Sequence, residues 1–201
     1  MTEAEWLECA DAGKLFVQAE RTHRASQRVF RLFCVAFWRW HERHWKNNRL
    51  MGAPNRELLR KRVDVLEQWA ETGTPPKYIE PMIGFLNTRA RVAARGTVEL
   101  ARQWVDVEWG GPEVPVILCS LIRDVFGNPA RRVRVNRAWL TTTVVALAKG
   151  IYDEKAFDRM PILADALQDA GCDNEDVLNH CRGQEPHVRG CWVLDLLLRK
   201  G

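Results

Sequence analysis

The chain has 201 residues, 46% of them apolar and 28% charged, with a formal net charge of +4. That length fits one domain, and the composition is ordinary for a globular protein that buries its core without disulfides or metals. No stretch approaches the roughly 18 apolar residues a membrane helix needs.

The small net charge hides an asymmetry. Residues 20–62 hold twelve Lys/Arg against three Asp/Glu, so the remainder is acidic. Such a division points to an anionic partner, or to a basic face that docks on an acidic one within the molecule. The nine tryptophans call for a large core or a sizeable contact surface. The six cysteines are Cys9, Cys34, Cys119, Cys172, Cys181 and Cys191, and no CxxC pair occurs among them. The opening residues are acidic and lack the basic start and apolar run of a secretory signal. The expectation is a cytoplasmic protein with free, mostly buried thiols.

In chain order, Thr2 is placed to cap a short helix over 2–9, with Trp6 facing inward. A second helix follows over about 14–24. The main N-terminal helix is expected over 26–45. Val29, Phe33, Phe37, Trp40 and His44 form its apolar face, and Arg24, Arg28, Arg31, Val35, Arg39, Glu42 and Lys46 recur on another. After Gly52-Ala53-Pro54, an apolar face of Leu58, Leu59, Val63, Leu66 and Trp69 predicts the next helix. Thr72-Gly73-Thr74-Pro75-Pro76 breaks the chain, and 79–109 reads as one long helix or two shorter ones. A further helix is expected over 112–126, stopped by Gly127-Asn128-Pro129. Residues 131–135 read as an extended connector, and Asn136 as the cap of the helix that follows.

The segment 157–200 divides into three. Residues 159–170 are helical. Asp173 is the expected cap of a short helix ending at Gly183. Beyond Pro186, Val188, Cys191, Trp192, Val193, Leu194 and Leu196 to Leu198 are apolar nearly all round, which marks a buried helix or strand.

The stretches Phe126-Gly127-Asn128-Pro129, Trp139-Leu140, 156–167, Gly171-Cys172-Asp173, 179–183, His187 to Trp192 and 195–198 resemble an expanded family of bacterial paralogues. The start, residues 1–7, and Arg31-Leu32-Phe33-Cys34 are similar to it as well. The resemblance covers the two ends of the chain and little of the middle. No activity is established for that family, so it implies no catalytic residues. Where its members carry a cysteine-rich patch after that Cys, this chain has Phe37-Trp38-Arg39-Trp40.

Three constellations carry chemistry. Arg24, Arg28, Arg31, Arg39, Arg43, Lys46, Arg49, Arg56, Arg60, Lys61 and Arg62, with Trp38 and Trp45 beside them, have the residue types that bind phosphates and stack on bases. The competing reading is a solvated or internally paired face. Cys172, His180, Cys181, His187 and Cys191 have the ligand types of a zinc site, but their spacing fits no standard pattern. The competing reading makes the thiols core residues and the imidazoles local hydrogen-bonding groups. Cys181 or Cys191 with His187 and Asp195 has the types of a nucleophilic site, with nothing in the sequence to position them.

The expectation is therefore an all-α protein, one domain over 1–201 with about eight or nine helices. Its basic helical part covers about 1–72 and its C-terminal core about 112–201. The first functional reading is a non-catalytic interaction or accessory protein with a protein partner, no cofactor and no membrane. The second is a nucleic-acid-binding factor working through residues 21–62. The third is a small enzyme using the C-terminal His/Cys/Arg cluster.

Overall fold

The computed structural model describes residues 1–22, 26–44, 53–76, 90–103, 113–131 and 133–200, with side chains described outside 53–56, 90–91 and 100–103. All regular structure among these residues is helical. Ten α-helices run α1 (Glu3–Glu8), α2 (Ala12–Thr22), α3 (Gln27–His44), α4 (Ala53–Thr72), α5 (Ala90–Gln103), α6 (Glu113–Phe126), α7 (Thr142–Glu154), α8 (Met160–Asp169), α9 (Glu175–Arg182) and α10 (Trp192–Leu198). Short 3-10 turns lie at Arg137–Trp139 and Phe157–Arg159. Among the described residues no helix is long and apolar enough to cross a membrane.

The helix starts follow from local polar residues. Thr2 and Glu5 form a reciprocal capping box: the Thr2 hydroxyl accepts from the Glu5 N–H and the Glu5 carboxylate accepts from the Thr2 N–H. The Asp11 carboxylate accepts from the N–H groups of Gly13 and Lys14 at the start of α2. Two caps differ from expectation. Asn136 caps the 3-10 turn at Arg137–Trp139, and Thr141 caps α7. Asn174, one residue beyond Asp173, caps α9 by accepting from the Val177 N–H. The residue beyond Cys191 starts a helix rather than a strand, because Trp192–Leu198 closes its own hydrogen bonds within a buried segment.

Two hydrophobic clusters result. The first gathers α1 to α6 around Phe16, Phe30, Phe33 and Phe126; the rings of Phe16 and Phe126 lie 5.4–6.1 Å, centre to centre, from each other and from those of Phe30 and Phe33. The second gathers α7 to α10 around Ile151, Met160, Leu163, Leu167, Val177 and Leu194. The sequence pattern gave α3 one apolar face; the structure buries it nearly all round. Phe30, Leu32 to Phe37 and His41 are all buried, because α3 packs against α4, α5 and α6. Val35, on the stripe read as basic, is among them, while Trp40 is only half-buried and His44 exposed.

The clusters meet closely at two glycines. Gly127, with φ +63°, lies under the Trp192 indole, where a Cβ would come within 3.1 Å of the ring. Gly190, with φ +91°, lies against Leu32 of α3, where a Cβ would meet the Leu32 Cβ at 3.0 Å. Both its positive φ and the contact exclude a side chain. Gly190→Ala should therefore destabilise the protein by about 3 kcal/mol, from backbone strain plus overpacking. A chemical-denaturation midpoint equal to wild type would show that α3 and residue 190 are not held together.

Candidate functional site

Two of the basic residues of α3, Arg28 and Arg39, turn out to face acidic ones. Arg28 reaches the Asp195 carboxylate at 2.6 and 3.1 Å, Glu71 at 3.2 Å, the Tyr152 hydroxyl at 2.5 Å and the Lys200 carbonyl at 2.7 Å. The Tyr152 hydroxyl in turn donates to Glu71. Arg31 lies over the Trp69 ring, 3.9 Å from its centre. Arg39 pairs with Asp64 and Glu67. Arg60 pairs with Glu42 and Glu57, and Lys61 with Glu57. Trp38 is half-buried against Phe37 and His41, Arg62 is half-buried, and Arg43 is exposed. Arg24, Trp45, Lys46, Arg49 and the Arg56 side chain lie outside the described residues.

The acidic partners form a row on α4, at Asp64, Glu67 and Glu71, spaced for one face. Glu67 is buried and receives Lys155 at 2.9 Å and Arg189 at 3.3 Å from the second cluster, besides Arg39 from α3. Burial alone pushes its carboxyl up, but the hydrogen bonds from Lys155 and Arg39 outweigh it and hold it below the ordinary range. Asp195 goes the other way: burial pushes its carboxyl up, with Arg28 opposing.

A second polar cluster lies deeper. Asp124 stands on α6 amid buried apolar neighbours, its side chain 1% exposed. Its Oδ1 is 2.7 Å from His187 Nδ1 and 3.2 Å from His180 Nε2. Its Oδ2 accepts from the Val188 N–H at 3.0 Å, which fixes the plane of the carboxylate. Cys191, fully buried at the start of α10, places its Sγ 3.1 Å from His180 Nε2 and 3.9 Å from His187 Nδ1. Burial pushes the Asp124 carboxyl up, and the hydrogen bonds to His180 and His187 more than offset this. The donor atoms of Asp124, His180, His187 and Cys191 all lie within 4.8 Å of one another. His187 also helps line a neighbouring cavity of about 200 Å³ with Trp40, Arg43, Glu67 and Lys155.

This geometry is not that of a nucleophilic relay. In a relay the imidazole presents one nitrogen to the nucleophile and the other to the acid. Here His180 Nε2 faces both the thiol and the carboxylate, and so does His187 Nδ1. Asp195 is engaged by Arg28 instead. The arrangement is a convergence of four donor atoms on one point, and its residue types are those that hold a transition metal. Of the five residues read from sequence as a metal set, His180, His187 and Cys191 are brought together. Cys172 and Cys181 pack into the second cluster. Asp124 escaped the sequence reading. The signal for it was a lone carboxylate inside the apolar run Val116 to Phe126, since such a group must find a partner when buried.

Two outcomes follow. Arg28→Met should cost about 3 kcal/mol, because it leaves the buried Asp195 without its ion-pair partner. The double variant with Asp195→Leu should cost less than the sum of the single changes. Additive effects in a double-mutant cycle would refute the coupling. The second outcome concerns acid. Burial, with the charge of His44 adding, lowers His41 from 6.5 to about 4. The unfolded chain then binds a proton that the folded protein excludes. Stability should fall as pH drops from 6.5 towards about 4, at most by about 1.4 kcal/mol per pH unit from this residue. Urea midpoints at about pH 7 and pH 5 should differ less in His41→Phe than in wild type. Comparison with family models, with curated proteins and with solved structures found no match to this chain.

Proposed function

We propose that this chain is a non-catalytic helical accessory protein that serves a larger assembly as a rigid body. One observation carries the reading: the polar networks of Arg28, Glu67 and Asp124 all lie where the two hydrophobic clusters meet, and each joins residues of both. Side chains with the types needed for catalysis or phosphate binding are thereby engaged in holding the helices in register. Arg182 with Asp165, and Arg159 with Glu154, extend the same use to the surface.

The thiols support the reading as well. Burial pushes Cys34 and Cys181 up to about 12 and Cys119 up to about 11, and raises Cys191 well above the ordinary thiol range. A protonated, enclosed thiol is a poor nucleophile. A nucleic-acid interface would need its cations available to phosphates, whereas Arg28, Arg31, Arg39, Arg60 and Lys61 have partners within the chain.

Native chromatography of extracts from the natural host should recover the chain far above its monomer mass, with a constant partner; elution as a free monomer would count against an accessory role. Iodoacetamide at neutral pH should label Cys9, the one half-buried thiol, and leave Cys181 and Cys191 unreacted in the folded protein. Rapid alkylation of Cys191 would restore the enzyme reading. Binding to mixed single- and double-stranded nucleic acid should be undetectable at about 50 mM salt, and affinity that falls steeply with added salt would favour the nucleic-acid reading instead.

A further inference from the structure

We propose that Asp124, His180, His187 and Cys191 bind a single zinc-class divalent ion, which clasps α6 to the segment running from α9 to the start of α10. The inference does not depend on the accessory role.

The first support is directional. Each imidazole offers one nitrogen to the common centre, and that nitrogen contacts both the carboxylate and the thiol. Hydrogen bonding serves the two contacts unequally. A ring N–H aimed at Asp124 leaves the Cys191 sulfur, a weak acceptor, only the minor share of a bifurcated bond, and a lone pair there leaves the carboxylate without its donor. One cation at the centre accepts a lone pair from all four groups at once. The second consideration is metrical. Ligands about 2.0–2.3 Å from a tetrahedral zinc stand about 3.3–3.6 Å from one another. The separations here are 2.7, 3.1, 3.2 and 3.9 Å, so three pairs must open and one must close by a few tenths of an ångström for the ion to enter.

The third support is charge. Zinc carries two positive charges, and an aspartate with a cysteine thiolate carries two negative ones, so the loaded site is neutral. Neutrality matters where Asp124 and Cys191 are shielded from water and His187 is only 5% exposed. Cys191 enters as thiolate, its proton passing to solvent as the S–Zn bond forms. The choice of metal follows from the donors. Thiolate with two imidazoles selects zinc over magnesium or calcium, and four protein ligands leave no open position, which is the pattern of a structural site. Outside the ligands, the Val188 N–H holds Asp124 Oδ2 and leaves Oδ1 for the metal. Gly190 seats the loop between His187 and Cys191 against α3.

The test uses the full chain, purified without chelator or metal-affinity resin, incubated with excess Zn²⁺ and desalted. One zinc per chain is the expected content. Co²⁺ in its place should give the intense visible bands of a tetrahedral site and a near-ultraviolet thiolate band. Cys172→Ala should keep both signals, Cys191→Ser should lose the thiolate band, and His180→Ala should lower zinc affinity at least about tenfold. Helical wild-type protein that retains less than about 0.2 zinc per chain after loading overturns the proposal, whatever the variants do. A thiolate band that survives in Cys191→Ser overturns the ligand assignment.

Discussion

The Arg28 guanidinium is the contact on which the joined structure depends. It projects from α3, which is itself wrapped by the first cluster, and it reaches Asp195 on α10, Tyr152 on α7 and Glu71 on α4. A planar fork with five donors can meet that many acceptors at once; a lysine cannot. The burial of Asp195 depends on Arg28 arriving with it. Burying that carboxylate without the guanidinium would leave an unpaired charge in an apolar setting. The lysine ammonium of Lys200, 4.4 Å from the centre of the Tyr152 ring and 3.2 Å from Glu71, closes the network from the other side.

The reverse arrangement appears twice along the meeting line of the two clusters. Glu67 collects Arg39 from its own half and Lys155 and Arg189 from the other. Asp124 collects two imidazoles and a backbone N–H, all from the other half. In each case a carboxylate of the first half is the focus for donors of the second, and apolar packing alone would set neither register nor angle so tightly. Two glycines let the backbones come close enough for these networks to form. The polar residues therefore determine how the halves sit, while the aromatic and aliphatic clusters supply most of the driving force.

Much of the fold was legible in the sequence because helix ends are local. Thr2 with Glu5, Asp11 and the glycine stops act within one turn of where they stand, and the sequence reading placed those ends within a few residues. The apolar periodicities of α4, α6 and α8 likewise needed no tertiary information. The fate of the basic stripe on α3 was not legible, since it depended on α4 setting Asp64, Glu67 and Glu71 opposite it. The site was half legible. His180, His187 and Cys191 fall within a dozen residues and share the right chemistry. Asp124 is 63 residues away from His187 along the chain, and only the packing of α6 against the last helices brings it there. Arg28 and Asp195 are 167 residues apart, beyond the reach of any local pattern.

That separation has a consequence for how the protein is made. During synthesis α1 to α6 leave the ribosome well before residues 180–200 exist. Arg28 and Glu67 must then wait with only their early partners, Glu71 and Arg39, and Asp124 with neither imidazole, while the face of α3 that receives Gly190 stays open. The early helices can collapse around their phenylalanines, but they cannot reach their final register until the chain has been extended through Lys200. Quality control in the cell would thus meet a charge-lined intermediate, and a ribosome stalled early in α9 would release a chain in which Asp124 lacks both imidazoles and the Val188 N–H.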